Sequence, residues 1–182
     1  SKYNKMQNET LTVFPILTTE RLTLRQLLST DEQQIFTLRS DGEINKYLDR
    51  QPSNTIDDAR DFIHKIIKSN SLYWAITLSG KNIPVGTICL FDFSDDNCKC
   101  EIGYELLTNF QGQGIMQEGV QKVIDYAFHT IKVKKMEAVL HRDNKRSIKL
   151  LEKLSFCHSN EPDKTNPELR CYYLTNSLDD LN

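Results

Sequence analysis

The segment that most constrains the fold is the glycine-rich hexapeptide at residues 111–116 (QGQGIM), which joins a strand-like run to a helix pattern. Upstream, residues 98–107 have a β-prone centre and end at a Thr-Asn turn. Downstream, apolar side chains recur at the spacing of one helix face: Val120, Val123, Ile124, Ala127, Phe128 and Ile131. The chain therefore passes from a strand through two glycines into a helix, which predicts a strand–turn–helix unit.

This junction is suited to binding an anion. Gly112 and Gly114 let the backbone approach a ligand closely, and the first N–H groups of the following helix point at it with the positive end of the helix dipole behind them. A Walker A loop is disfavoured because no Lys and Ser/Thr follow Gly119. A dinucleotide fingerprint is disfavoured because Gln117 stands where its third glycine should be. The sequence predicts a different phosphate-bearing ligand.

Three patches of the chain resemble the GNAT superfamily of N-acetyltransferases. The hexapeptide resembles the [QR]-x-x-G-x-[GA] signature, with Met116 where Gly or Ala is usual, and Q-G-x-G-I-M is a familiar variant in the ribosomal-protein N-terminal acetyltransferase (RimJ/RimL-like) branch. Residues 144–156 (NKRSIKLLEKLSF) resemble the element N-x-x-[AS]-x-x-x-[YF]-x-x-x-G-F. Residues 19–25 (TERLTLR) resemble the T-x-R-L-x-L-R opening strand of that branch. The patches occur in the family's order, within residues 18–174.

The resemblance implies a fold, a co-substrate and a set of binding residues. The fold is α/β, a single domain with a mixed, mostly antiparallel sheet whose central parallel strand pair splays apart between flanking helices. Acetyl-CoA is the implied co-substrate, with its pantetheine arm in the gap. The N–H of Leu106 would polarise the thioester carbonyl. The remaining implied cofactor-binding residues are Gln111, Gly112, Gln113, Gly114, Ile115, Met116 and Asn144.

The implied reaction is direct attack of a primary amine on the thioester, which requires a base for the amine proton and help for the departing thiolate. By resemblance, Glu101 is the base, acting directly or through water. The family's usual Tyr falls on Leu151, which cannot donate a proton, and Ser147 is predicted to serve the leaving group instead. Ser155 stands where the family has Gly. No spacing of His or Cys residues predicts a metal site.

Composition limits the class of protein. A chain of 182 residues, 38% hydrophobic and 26% charged, predicts one domain over residues 1–182, with a polar, peripheral extension at 1–14. A net charge of −2 offers no basic field for nucleic acid. Five cysteines without C-x-x-C spacing are typical of thiols in a reducing cytoplasm. The sequence has no apolar run long enough to predict a membrane segment, so a cytoplasmic location is expected. The expected oligomeric state is a monomer or a homodimer.

The acceptor is open between several classes. The branch resemblance implies the N-terminal amine of a protein or peptide. Small amines, such as polyamines, aminoglycosides or amino acids, are favoured by acidic residues on the presumed acceptor side: Asp41, Glu43, Asp49, Asp57 and Asp58. A non-catalytic acyl-CoA-binding module is favoured by Leu151.

Periodicity and turn signals predict the order of elements. Strands are expected at residues 22–26, 73–78, 85–92, 98–106 and 136–140, followed by a closing hairpin of 156–159 and 169–174. Helices are expected from about 30 to 39, and at 53–69, 112–132 and 145–154. The strands on either side of helix 112–132 form a crossover and should be parallel neighbours.

Overall fold

The structure is a computed structural model and describes residues 13–177. Its strands and helices are, in chain order, β1 (Leu17–Thr18), β2 (Leu22–Gln26), α1 (Glu32–Ser40), α2 (Ile56–Lys68), β3 (Leu72–Leu78), β4 (Gly86–Phe91), β5 (Lys99–Leu106), α3 (Ile115–Tyr126), β6 (Lys135–His141), α4 (Lys145–Lys153), β7 (Cys157–His158) and β8 (Leu169–Thr175). The predicted elements are present, and β1 is an additional short strand.

The strands form one eight-stranded sheet in the order β1-β2-β3-β4-β5-β6-β8-β7. Every neighbouring pair in this order is antiparallel except β5 and β6, which are parallel because α3 carries the chain back across the sheet. The predicted α/β class, with a mixed, mostly antiparallel sheet and a central parallel pair, is confirmed.

Each face of the sheet is covered by helices, because side chains of the central strands alternate between the two faces and both faces are apolar. On one face, Trp74 and Ile88 pack in a cluster with Val120 of α3 and Leu151 of α4. On the other face, a smaller cluster joins the sheet to α1 and α2; its buried members are Leu27, Ile35, Leu38, Ala59, Ile63 and Ala75. The sheet is therefore the middle of three layers.

The helix after the hexapeptide starts three residues later than the predicted first residue, 112. Gly112 and Gly114 have φ of +78° and +76°, a left-handed conformation that a helix cannot include, so α3 begins at Ile115. Its apolar stripe continues through a wider turn at Ala127–Ile131 and stops at Lys132, where φ is +66°. The glycines thus form a turn that leads into the helix.

Most of the predicted peripheral extension, residues 1–12, lies outside the described residues. Phe14, which was assigned to that extension, contacts the core: its ring meets Trp74 edge-on with centroids 5.7 Å apart. Trp74 is fully buried and donates its indole N–H to the Pro15 carbonyl at 2.9 Å. Between residues 13 and 177, no helix is both long enough and apolar enough to cross a membrane.

The parallel pair separates along its length. Among the described residues, β5 and β6 are in register only at Lys99–Lys135, Cys100–Met136 and Glu101–Glu137. Beyond these pairs each strand stays with its outer neighbour, β5 with β4 as far as Leu106 and β6 with β8 as far as His141. A V-shaped gap therefore opens in the middle of the sheet, as predicted.

Candidate active site

The turn at the start of α3 leaves backbone donors available. Gly114 is the N-cap residue of α3, and no side chain caps the helix there. A Cβ on Gly112 would meet nothing within 4 Å, so the backbone at this position faces open space. Beside the turn lies a depression of ≈ 310 Å³ lined by Gly114, Gln117, Glu118, Gln121 and Leu154. Open donors and the positive end of the helix dipole are the features with which a helix start can bind an anion.

The opening strand holds this turn in position. Glu118, in the first turn of α3, accepts hydrogen bonds from the Thr19 hydroxyl at 2.5 Å and from the Arg21 backbone N–H at 3.0 Å. Arg21 Nε also binds the Glu118 carboxylate at 2.8 Å, and Arg21 Nη1 donates to the Gln113 carbonyl at 3.0 Å. Burial opposes ionisation of Glu118, but these donors outweigh it and lower the pKa of its carboxyl group.

Gln111 connects the end of β5 with the start of α4. Its Nε2 donates to the Leu106 carbonyl at 3.0 Å, and its Oε1 accepts a hydrogen bond from Arg146. Its own N–H donates to the Thr108 carbonyl at 3.2 Å. The side chains of Ile115 and Met116 pack into the core. The side chains of Gln111, Ile115 and Met116 are therefore engaged within the protein. Their contribution to an anion site would be to shape the loop and position its backbone.

The start of α4 brings two hydroxyl groups together across the gap. Asn144 Oδ1 caps the helix by accepting from the Ser147 N–H at 3.3 Å. The Ser147 hydroxyl is hydrogen-bonded to the hydroxyl of Tyr104, on β5. Leu151, one turn further along α4, is fully buried in the core. The hydroxyl groups at this end of the gap therefore come from Ser147 and Tyr104.

Ser155 occupies a position where the backbone favours glycine. Its φ is +69°, and its N–H donates to the Glu152 carbonyl at 3.0 Å where α4 ends. Left-handed φ is strained for a residue with a Cβ, which explains why the resembling motif has Gly at this point. The turn forms nonetheless, with Ser155 in the left-handed conformation just after α4 ends.

Glu101 lies on β5 at the last paired position before the gap opens, next to Glu137 of β6. Burial raises the pKa of the half-buried Glu101 carboxyl group; the negative charges of Asp92 and Glu137 add to the rise, and Lys99 opposes it. A carboxylate with a raised pKa accepts a proton more readily than an ordinary one, so Glu101 has the properties of a general base.

The loop between α1 and α2 closes one side of the gap. Arg50 forms an ion pair with Glu105 of β5, and both side chains are largely buried, 21% and 13% exposed. Arg50 also donates to Asn45 Oδ1 at 2.9 Å. Nearby, the Arg39 guanidinium stacks on Phe62, 3.8 Å from the ring centroid. The Arg50–Glu105 pair thus fastens the loop to β5, and the Arg39–Phe62 contact joins α1 to α2.

His141 closes the other side, at the end of β6. Its ring stacks on Tyr47 of the α1–α2 loop, with centroids 5.3 Å apart. Its Nδ1 accepts from the Asp143 N–H at 3.1 Å, and its Nε2 lies 3.5 Å from Glu168, which Arg142 also pairs with at 2.9 Å. His141, Asp143 and Glu168 could together ligate a metal ion, but these existing contacts account for their proximity.

Three of the five acidic residues of the α1–α2 region have local structural partners. Asp41 accepts from the N–H groups of Glu43 and Ile44 at 2.9 and 3.0 Å. Asp58 forms a capping box with Thr55 at the start of α2, and Asp57 pairs with Arg60 at 3.3 Å. These three carboxylates therefore serve local structure, and of the three it is Asp57 that is paired with a cation.

The candidate residues thus fall into three groups around the gap. The hexapeptide and Leu106 lie at the end of β5, Asn144 and Ser147 lie at the start of α4, and Glu101 lies on β5 where the gap begins. Sequence reasoning missed the contacts of Tyr104, Arg50 and Tyr47. Tyr104 contacts Ser147, 43 positions away, and Arg50 contacts Glu105, 55 positions away. No local sequence pattern predicts contacts between residues so far apart.

Comparison with known proteins gives consistent matches. Residues 21–156 match the family model of the acetyltransferase (GNAT) domain. The uncharacterized N-acetyltransferase p20 of Bacillus licheniformis is 37% identical over 145 residues, which are 77% of this chain and 81% of that protein. An acetyltransferase (GNAT family) structure from Bacillus anthracis has a TM-score of 0.80 at 22% identity, covering 90% of this chain and 99% of that chain. Spermidine N-acetyltransferase from Vibrio cholerae, solved with CoA and spermine, has a TM-score of 0.77 at 20% identity, covering 87% and 98%.

Proposed function

The chain belongs to the GNAT acetyltransferases, enzymes that use acetyl-CoA as co-substrate, and from that premise we propose that it acetylates the N-terminal amine of a protein or peptide, as the RimJ/RimL-like branch does. One observation carries this choice of acceptor: Glu105 and Glu137, on the two strands that border the gap, are each paired with cations of the chain itself. Such a groove suits an acceptor with a single reacting amine. The motif resemblance at residues 19–25 and 111–116 supports the same branch.

The paired carboxylates are distributed on both sides of the gap. On β5, Glu105 is paired with Arg50. On β6, Glu137 lies 3.6 Å from Lys99 Nζ and 3.7 Å from Lys135 Nζ. A polyamine carries several positive charges, and each is bound most strongly by a carboxylate that has no other cation nearby. The remaining carboxylate of the two described strands, Glu101, has no ion pair, and it is needed as the base.

Acetyl-CoA fits the donors at the end of β5. Its pyrophosphate would accept hydrogen bonds from N–H groups of the turn and of the first residues of α3, where the uncapped helix end and the glycine conformations leave them accessible. The residues proposed to hold it are Leu106, Gln111, Gly112, Gln113, Gly114, Ile115, Met116 and Asn144. Of these, Leu106 would contribute its N–H to the thioester carbonyl, and Asn144 would contact the pantetheine arm.

Transfer then proceeds in one displacement. Glu101 accepts the amine proton, directly or through water, and the neutral nitrogen attacks the thioester carbon. The new bond is C–N, the C–S bond breaks, and its electron pair leaves on sulfur. Ser147 donates a hydrogen bond to that sulfur. Holding both reactants in one gap removes the need for a covalent enzyme intermediate.

Three of the five cysteines are poorly suited to carry the acetyl group, which supports direct transfer. All five lie within the described residues and none forms a disulfide. Burial raises the pKa of Cys89 and of Cys100 to about 12, so both remain neutral thiols near pH 7 and are poor nucleophiles. Cys157 lies on the edge strand β7, away from the parallel pair. An acetyl group passed through cysteine would need a thiolate facing the gap.

The proposal is tested by measuring thiol release from acetyl-CoA with a panel of amines. We expect a peptide with a free N-terminus to have a kcat/KM about tenfold or more above that of spermidine or an aminoglycoside. The matched control is the same peptide with its N-terminus blocked and an internal Lys retained, which should release no thiol above background. Preference for spermidine, or equal turnover of the blocked peptide, would show that the acceptor is a small or side-chain amine.

The role of Glu101 predicts a specific pH dependence. Because its pKa is raised, the carboxylate form fills only as the pH rises above the ordinary range of glutamate, so kcat/KM should rise with pH through that higher value. Glu101→Gln should remove this acid limb and slow turnover. Glu137→Gln is the control. Removing the neighbouring negative charge should lower the pKa of Glu101, so kcat/KM should still rise with pH, but at a lower pH than in the wild type. A limb of unchanged position in Glu101→Gln would assign the base to another group.

A further inference from the structure

Tyr104 and Ser147 form the hydrogen bond that crosses the gap where the reacting sulfur would lie. Tyr104 is on β5, two residues before Leu106, and Ser147 is in the first turn of α4. One hydroxyl group therefore belongs to a strand that borders the gap, and the other to the helix that follows β6. The Tyr104 side chain also packs against the main core cluster, which fixes the direction of its phenol group.

We propose that Tyr104 is a positioning residue for acetyl transfer, whose phenol donates to Ser147 Oγ and thereby aims the Ser147 proton at the departing sulfur. This inference deepens the proposed function, since it rests on the role given there to Ser147. It also accounts for Leu151: a tyrosine on the strand acts through a serine, so no hydroxyl is needed one turn along α4.

The direction of the Tyr104–Ser147 hydrogen bond decides which hydroxyl group can donate to the sulfur. A serine hydroxyl has one proton and two acceptor lone pairs. If Ser147 donated to Tyr104, its only proton would be used, and a hydrogen bond to the sulfur would have to come from the tyrosine instead. A phenol is a stronger acid than an alkyl hydroxyl, so Tyr104 is the better donor of the pair. If Tyr104 donates, the Ser147 proton remains available for the sulfur. Burial raises the pKa of Tyr104 to about 12, although the bond to Ser147 opposes the rise, so the phenol keeps its proton throughout the neutral range and remains a donor.

The chemical balance needs no complete proton transfer from either hydroxyl. A serine hydroxyl is a much weaker acid than a thiol, so Ser147 stabilises negative charge on sulfur by a hydrogen bond and keeps its proton. The amine proton leaves through Glu101 to solvent, and the thiolate leaves with the C–S electron pair. A hydrogen bond to a charged partner is stronger than one to a neutral partner, so the benefit appears as charge develops on sulfur.

The first test is a double-mutant cycle. Tyr104→Phe should lower kcat about tenfold and leave the acetyl-CoA KM within about twofold, because the lost interaction belongs to the transition state. If Tyr104 acts only through Ser147, then Tyr104→Phe adds nothing to Ser147→Ala, and the double variant has the kcat of the Ser147 single variant. If the fold decrease in kcat of the double variant equals the product of the two single decreases, Tyr104 acts independently of Ser147, and the proposal is overturned.

The matched control is Tyr126→Phe. Tyr126 is a half-buried tyrosine of α3 that packs on Trp74 in the same core, and burial likewise raises its pKa. It has no part in the proposed site, so kcat should stay at the wild-type value. Melting temperatures of all variants are measured in parallel, and a loss of kcat shared by Tyr126→Phe would indicate a general packing effect and count against a positioning role.

The second test needs only bound CoA and no acceptor. The pKa of the CoA thiol is measured in the complex from thiolate absorbance, with desulfo-CoA as the reference. Tyr104→Phe and Ser147→Ala should each raise that pKa by roughly one unit, since each removes stabilisation of the thiolate. An unchanged thiol pKa in Tyr104→Phe would overturn the inference. The acceptor assignment is judged separately, from the amine panel, so the two can fail independently.

Discussion

Replacing Gly114 by Val should abolish acetyl-CoA binding while the chain still folds. Gly114 has φ of +76° and lies at the start of α3, where the ligand's pyrophosphate would approach the backbone. A branched Cβ would occupy that space and oppose the left-handed conformation that directs the N–H groups. A Cβ here would also lie 3.4 Å from Arg21 Nη2. We expect affinity to fall by about 100-fold or more, measured by isothermal titration calorimetry.

Gly80→Val is the matched control for backbone strain. Gly80 has φ of +81° in the turn between β3 and β4, and a Cβ there would meet nothing within 4 Å. The variant introduces comparable strain outside the glycine-rich loop, so its affinity for acetyl-CoA should match the wild type. If folded Gly114→Val binds acetyl-CoA as tightly as Gly80→Val does, the pyrophosphate does not lie at this turn.

Ser147 and Asn144 should have opposite kinetic effects. If Ser147 stabilises the departing sulfur, Ser147→Ala should lower kcat by roughly 100-fold with little change in acetyl-CoA affinity, because the interaction develops in the transition state. If Asn144 holds the pantetheine arm in both ground and transition states, Asn144→Ala should mainly raise the acetyl-CoA KM. Steady-state kinetics with varied acetyl-CoA measures both values.

Asn144 requires its own control because it also caps α4. Loss of the cap costs about 1 kcal/mol and would disturb Ser147. Asn144→Asp keeps a capping oxygen but loses the amide N–H groups, so it should raise KM as Asn144→Ala does while keeping the wild-type melting temperature. A full kcat in Ser147→Ala would mean that the thiolate leaves without help from this helix.

Elements with long apolar periodicity were predictable from the sequence. The stripe from Val120 to Ile131 identified α3, and the crossover around it required β5 and β6 to be parallel. The start of α3 was placed too early because two glycines in left-handed conformation look, in sequence, like a weak helix start. β1 was missed because a two-residue strand has no period, and its pairing with β2 depends on tertiary context.

The glycine-rich turn could be predicted from the sequence, whereas the side-chain pairs between distant elements could not. The glycine-rich turn that we propose binds phosphate is a local structure, so Gln111 to Met116 carried its signature in consecutive residues. The pairs Tyr104–Ser147 and Arg50–Glu105 depend on how distant elements pack, and neither partner marks the other in sequence. For the same reason, the acidic residues of the α1–α2 region suggested a cationic acceptor, although Asp41 and Asp58 cap backbone turns.

Because the ladder between β5 and β6 is short, we expect the free energy of unfolding to depend on whether a ligand occupies the gap. Because so few residues join the two halves of the sheet, a molecule seated between them would serve as part of the interior of the fold. Any ligand that binds only the folded chain adds a free energy of unfolding that grows with its concentration, about 2.7 kcal/mol when the ligand is at 100 times its Kd. The purified chain without acetyl-CoA would thus be its least stable form, and cells rich in the co-substrate would hold more of it folded.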